Sequence, residues 1–185
     1  MEQHEPRKSR EFARYLDGLA KREDRAALAA LRRGLGKQPG EAAEMFPYLA
    51  RWSMNPWEED TYYLTASLFA LHPASWSGDQ SNHNFGASLA WLNRNSEGAG
   101  VERRLVAMLN ADRDTLPDHL RHAVALLKGK EISVDWACLI EDLNGWEHES
   151  RYVQRRWARS FWGDQPITSE REVSDQLPVS SDSSE

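Results

Sequence analysis

From Phe12 to Phe161 the apolar residues of this chain recur at intervals of three and four, and no convincing stretch alternates apolar with polar. That period is helical, because residues three and four apart share a helix face, whereas a half-buried strand repeats every two. The breaks between periodic segments are glycines, prolines and capped starts. The sequence therefore predicts an all-α fold, a bundle of about eight or nine helices.

The first predicted helix runs from about Ser9 to Lys21 with Phe12, Tyr15, Leu16 and Leu19 on one face, and residues 1–8 are expected to fray. Asp24 caps a second helix carrying Leu28, Leu31 and Leu35, and a short third helix covers Glu41 to Trp52 around Pro47. Asn55-Pro56-Trp57-Glu58-Glu59 supplies a cap, a proline at the first helical position and acids at the positive helix end. The fourth helix should stop at Leu71, before His72-Pro73, and residues 72–83 read as a polar loop. Further helices are expected over Asn84 to Arg94, Val101 to Asn110, Thr115 to Lys128 and Ser150 to Trp162. Between the last two lies an eighth, capped by Ser133, with Trp136, Leu139, Ile140 and Leu143 turned inward. The joint at Gly129-Lys130 divides an N-terminal helical lobe, 9–130, from a C-terminal lobe, 131–163, packed on it. Most of the eight tryptophans should be core anchors, Trp136 and Trp157 among them.

The net charge of −6 argues at first against nucleic acid, but the charge is not spread evenly. Residues 164–185 hold Asp164, Glu170, Glu172, Asp175, Asp182 and Glu185 against the single base Arg171. Setting those six acids and one base apart from the chain's 29 and 23 leaves a nearly neutral body of 23 acids and 22 bases. A neutral body can still carry a basic face, since phosphate contacts depend on local clustering. The 164–185 segment is rich in Ser, Asp and Glu and too poor in apolar residues to offset ordering entropy, so a disordered acidic tail is expected. Removing it should leave the melting temperature nearly unchanged. A thermal melt of the truncated chain checks this, and a fall of many degrees would mean that the tail packs.

The single Cys138 excludes an intrachain disulfide and fits a reducing cytoplasm. No apolar run approaches the ~20 residues of a membrane span, and the N-terminal residues show no uninterrupted signal-peptide core.

The segment most informative about function is SRYVQRRWARSFW. Val153, Trp157 and Phe161 form one apolar stripe, while Arg151, Arg155, Arg156 and Arg159 fall elsewhere, with no acid nearby on the helix to pair them. This is an electropositive ridge, although a solvated face, or one paired with acids of other helices, explains it equally well. Arg32, Arg33 and Lys37 cluster at the end of the second helix, Arg103 and Arg104 on the sixth, Arg121 and Lys128 on the seventh. The helix dipole alone accounts for Arg32, Arg33 and Lys128, because helix C-termini attract cations. Together the clusters favour a phosphate-binding surface. The catalytic readings are poor. His119 and His122 lack the further ligands of a metal site, Glu58 and Glu59 suit a helix N-terminus, and Cys138 reads as core. No nucleophile elbow, phosphate loop or dinucleotide fingerprint occurs. No cofactor and no metal are expected.

The blocks LRRGLG, NFGASLAWL, VERRLVAMLNADRDTLPDHLRHAVALLK, VDWACLIEDLNGW and RYVQRRWARSFWG, in this order and spacing across residues 10–163, resemble the CasB family. That family is the small subunit of Cascade, the type I-E CRISPR surveillance complex. The resemblance implies an all-helical, non-catalytic protein present as two copies beside the backbone and large subunits. It implies contact with CRISPR RNA and target DNA, steadying the guide–target duplex and the displaced strand while base pairing reads the sequence. Arg32, Arg33, Arg103, Arg104, Arg121 and the basic face of the last helix match basic positions of the family. The chain departs at Trp91, where some relatives are expected to be basic, so no phosphate contact is assigned there. The rival expectation is a structural spacer that makes only protein–protein contacts.

Overall fold

A computed structural model describes residues 6–52, 56–78, 83–95 and 100–163. The acidic tail, residues 1–5 and the expected Asn55 cap lie outside this set. Among the described residues the fold is all-α and holds no strand. The elements are α1 (Pro6–Lys21), α2 (Arg25–Arg32), a 3-10 turn (Ala43–Met45), α3 (Phe46–Leu49), α4 (Pro56–Leu71), α5 (Phe85–Arg94), α6 (Gly100–Leu109), α7 (Leu116–Gly129), α8 (Trp136–Asn144) and α9 (Tyr152–Trp162).

The local signals work where local chemistry decides. The Asp24 carboxylate accepts from the Ala27 N–H at 2.9 Å and opens α2, and Asn84 accepts from Ala87 at 3.2 Å and opens α5. Helix α4 ends at Leu71, as the following His72-Pro73 requires. It is buried nearly all round, Thr61, Thr65 and Ser67 included, and packs against α2, α7 and α8. A helix without a polar face belongs in the interior. Phe12 of α1 meets Tyr62 edge-on at 4.7 Å, and Trp136 of α8 meets Phe69 in the same way at 5.7 Å, so α1 and α8 are anchored to α4.

Helix α5 forms the second centre, beneath α9. A Cβ at Gly86 would lie 2.4 Å from the Trp157 carbonyl oxygen, so only glycine lets these two backbones approach so closely. Val153, Trp157 and Phe161 fill the interface, as their spacing predicts.

Four expectations are corrected. Helix α1 begins at Pro6, not Ser9, and Lys8 does not fray, because its ammonium bonds the Glu58 carboxylate at 2.9 Å. The third segment is a 3-10 turn followed by one helical turn. Asp135, not Ser133, caps α8, accepting from the Cys138 N–H at 2.9 Å. The cap moves because Val134 is held extended, its N–H donating to the Ala74 carbonyl at 3.1 Å and its own carbonyl accepting from Trp76 at 3.0 Å. The same bonds correct the polar loop, since residues 72–76 are sewn to 132–136 through these contacts, His72 to the Ile132 carbonyl at 2.7 Å and Trp136 to the Ala74 carbonyl at 3.2 Å.

Candidate nucleic-acid interface

Helices α6 and α9 are joined at both ends. The Leu109 carbonyl, at the end of α6, accepts from Arg151 at the start of α9. Glu102, near the start of α6, accepts from the Trp162 indole at the end of α9 at 3.3 Å. The two helices therefore run antiparallel, and each packs on α5. Arg103 and Arg104 are exposed on α6, and Arg155 and Arg159, one turn apart, are exposed on α9. Arg103, Arg155 and Arg159 have no side-chain partner among the described residues, so their charges face solvent uncompensated. Arg104 bonds the Gly100 carbonyl of its own helix at 2.8 Å and remains exposed.

The other two arginines of α9 are committed to the fold. Arg151 begins the helix in the left-handed region (φ 49°), its guanidinium on Leu109. Arg156 forms an ion pair with Asp142 of α8, whose side chain has 0% exposure. The other Asp142 oxygen accepts from the Trp157 indole at 2.6 Å. Asp142 is thus the acid that the sequence of α9 lacks. Cys138, one turn earlier, is only partly buried, and desolvation pushes its thiol up to about 11.

The remaining basic residues fall into separate groups. Arg32 donates twice to the Ala70 carbonyl, at 3.1 and 2.7 Å, and so closes the C-terminal end of α4. Arg33 pairs with Glu44 at 3.1 Å on the surface, a contact worth little. Lys37 and Arg121 come together around a hollow of about 330 Å³ between the 34–39 loop, α4 and the start of α7. Gly36, at φ 73°, lets the loop pass against the Arg121 guanidinium, which pairs with Asp118 at 3.2 Å. Asp60 borders this hollow, and burial raises its carboxyl above the usual range, reinforced by Glu59 and opposed by Arg113. Lys128 is exposed at the end of α7 without a partner among the described residues. No three His, Cys, Asp or Glu side chains among those residues group as metal ligands. No helix there is long and apolar enough to cross a membrane.

Sequence reasoning missed the aromatic cluster of Trp76, His83 and Trp91. Trp76 and His83 stack at 3.8 Å and 8°, while Trp91 stands 53% exposed on α5. The apolar run around Trp91 gives no face on which to place it, and the Trp76–His83 contact spans a segment that reads as polar.

Residues 27–162 match the family model described as CRISPR-associated protein Cse2. The chain is 38% identical over 161 residues to the CRISPR-associated protein Cse2 of Thermus thermophilus, covering 81% of this chain and 89% of that protein. The crystal structure of CasB from Thermus thermophilus is similar at TM-score 0.70 and 34% identity, covering 84% of this chain and 97% of that one. A chain in a structure described as a CRISPR RNA-guided surveillance complex is similar at TM-score 0.71 and 27% identity, over 84% of this chain and 92% of that one. Fold, order of blocks and sequence agree over nearly the whole helical body, and the chain belongs to the Cse2 family, also called CasB.

Proposed function

We propose that the chain is a non-catalytic small subunit of a CRISPR-guided surveillance complex, Cascade, and that its α6–α9 face holds nucleic-acid backbone. The observation that carries this reading is the set of exposed, uncompensated guanidiniums of Arg103, Arg155 and Arg159 on two adjoining helices, in a chain similar to one found in such a surveillance complex. Arg104 extends this set on α6, Lys128 is a further exposed charge at the end of α7, and Lys37 and Arg121 border a hollow of their own. Guanidinium groups bind phosphate oxygens without reading bases, so guide pairing supplies the sequence specificity. The partners on this reading are the backbone and large subunits, CRISPR RNA, and target DNA with its displaced strand, with two copies of the chain per complex. The rival reading is a structural spacer whose arginines meet acidic protein neighbours.

Reconstituted Cascade carrying Arg103→Ala, Arg155→Ala and Arg159→Ala together tests the two. Each lost phosphate contact removes about 0.7–0.9 from the slope of log affinity against log salt. The triple variant should therefore bind target DNA more weakly at low salt, with a slope shallower by about 2–3, so that the gap narrows as salt rises. Preference for the guide-matched sequence should survive. Wild-type affinity and slope in a normally assembled variant would establish the spacer reading instead.

A further inference from the structure

On the other side of α5 from its buried contacts, a recess of about 480 Å³ opens between α5 and the turn after α7. Its lining includes Trp76, His83, Trp91, Asn95, Lys130 and Ser133. The recess is built on the segment sewn to Val134, which fixes the Trp76 backbone at 3.0 Å from the Val134 carbonyl. The stacked His83 ring is held in turn. The Ser88 hydroxyl donates to the Ser133 carbonyl at 3.0 Å and lies 3.0 Å from His83 Nε2, from which it accepts. Burial lowers the pKa of His83, opposed by Asp135, so its ring is a neutral aromatic surface near pH 7.

The Trp91 indole lines the same recess, and its 53% exposure contrasts with the fully enclosed Trp136, Trp146 and Trp157. The exposed ring stands there together with the stacked Trp76–His83 pair, so three aromatic side chains border one opening. The charge around the opening indicates which kind of ligand suits it. Lys130 lies on its wall and Arg94 follows Trp91 by one helical turn, both exposed and without side-chain partners among the described residues. Glu131 is the acid in the lining. Aromatic surfaces with cations at the rim are the elements that hold single-stranded nucleic acid, bases stacking on rings and phosphates lying on the cations.

We propose that this recess takes a nucleobase of a single strand, stacked on Trp91 in front of the Trp76–His83 pair, with the adjoining phosphates on Arg94 and Lys130. The proposal rests on the reading of the chain as a nucleic-acid binder and adds base stacking to it, at a site separate from the outward arginines of α6 and α9. Stacking accepts any base, because every base has a π-face, so the site contributes affinity for a displaced or unpaired strand without sequence choice.

The full chain, titrated with an oligothymidylate and with an abasic deoxyribose-phosphate oligomer of the same length, separates base from backbone. The wild type should prefer the base-bearing oligomer about tenfold, the value of one good stack. Trp91→Ala should bind both oligomers at the abasic level, Trp91→Tyr should restore the preference, and neither should shift the melting temperature. Arg155→Ala with Arg159→Ala should weaken both oligomers alike. Equal wild-type affinity for the two oligomers, or a base preference that survives Trp91→Ala, would overturn the recess while leaving the basic face standing. Binding of neither oligomer at low salt would remove the basic-face reading as well. A Trp91→Ala chain that keeps its base preference but no longer enters the assembled complex would assign the recess to a protein neighbour and overturn the proposal.

Discussion

Trp157→Ala is expected to destabilise the chain by about 5 kcal/mol, the upper end of the range for removing a buried tryptophan. The indole has no exposed surface, lies 5.2 Å from the Phe85 ring and 5.0 Å from the Trp146 ring, and donates to Asp142. The surroundings cannot collapse into the vacated space, because Gly86 already brings the α5 backbone against the backbone of Trp157. The substitution also leaves the fully buried Asp142 with one hydrogen-bond donor fewer, a cost that rises when the acceptor is charged. A loss of that size is a large share of the ~5–15 kcal/mol that holds a typical domain together. It should lower the melting temperature by about 10–20 °C. Thermal unfolding followed by far-UV circular dichroism measures it, with Trp91→Ala as the control expected to stay within about 0.5 kcal/mol of wild type. A Trp157→Ala chain as stable as that control would mean that α9 is held by something other than this ring.

The contrast between these two tryptophans shows what the sequence makes legible. Trp157 lies four residues from both Val153 and Phe161, in the middle of a stripe flanked by arginines, so the helical period alone places it inward. Trp91 sits in NFGASLAWL, where apolar residues occupy almost every face and no period distinguishes one side from another. Caps and stops follow the same division. Asp24 and Asn84 bond the N–H three residues on, and Pro73 blocks the helix before it, so these boundaries follow from a few neighbouring residues. The Ser133 cap fails because Val134 is bound by Ala74, some sixty positions away, and no local rule reports such a partner.

The candidate site divides similarly. The spacing in α9 places Arg155 and Arg159 outward, and the structure agrees. What spacing does not tell is which arginines of the ridge have partners on other helices. Arg32, within a basic pair that resembles the family's, closes the end of α4. That α6 and α9 lie side by side depends on contacts between segments some forty to sixty residues apart, Leu109 with Arg151 and Glu102 with Trp162.

Arg156→Ala should therefore behave unlike its neighbour. Removing the guanidinium strands the Asp142 carboxylate where water does not reach it, and breaking a buried pair from one side costs about 3–5 kcal/mol. The Arg156 side chain is 40% exposed, so some solvent follows it inward, and a value near 3 kcal/mol is expected. The corresponding fall in melting temperature is about 6–12 °C. Arg155→Ala should stay within about 0.5 kcal/mol of wild type, because that side chain is exposed and makes no hydrogen bond or ion pair among the described residues. Adding Asp142→Asn to Arg156→Ala should recover much of the loss, since the neutral amide needs no counter-charge and can still accept from the Trp157 indole. The recovery distinguishes a stranded charge from simple loss of packing by the arginine stem, which the second substitution would not mend. DNA-binding measurements on α9 variants must be read with this in mind: a defect in Arg156→Ala reports the seating of the helix, and only Arg155 and Arg159 report its outward charge. If Arg156→Ala melted with the wild type, the pair with Asp142 would contribute nothing to stability, and Arg156 would rejoin the phosphate-facing set.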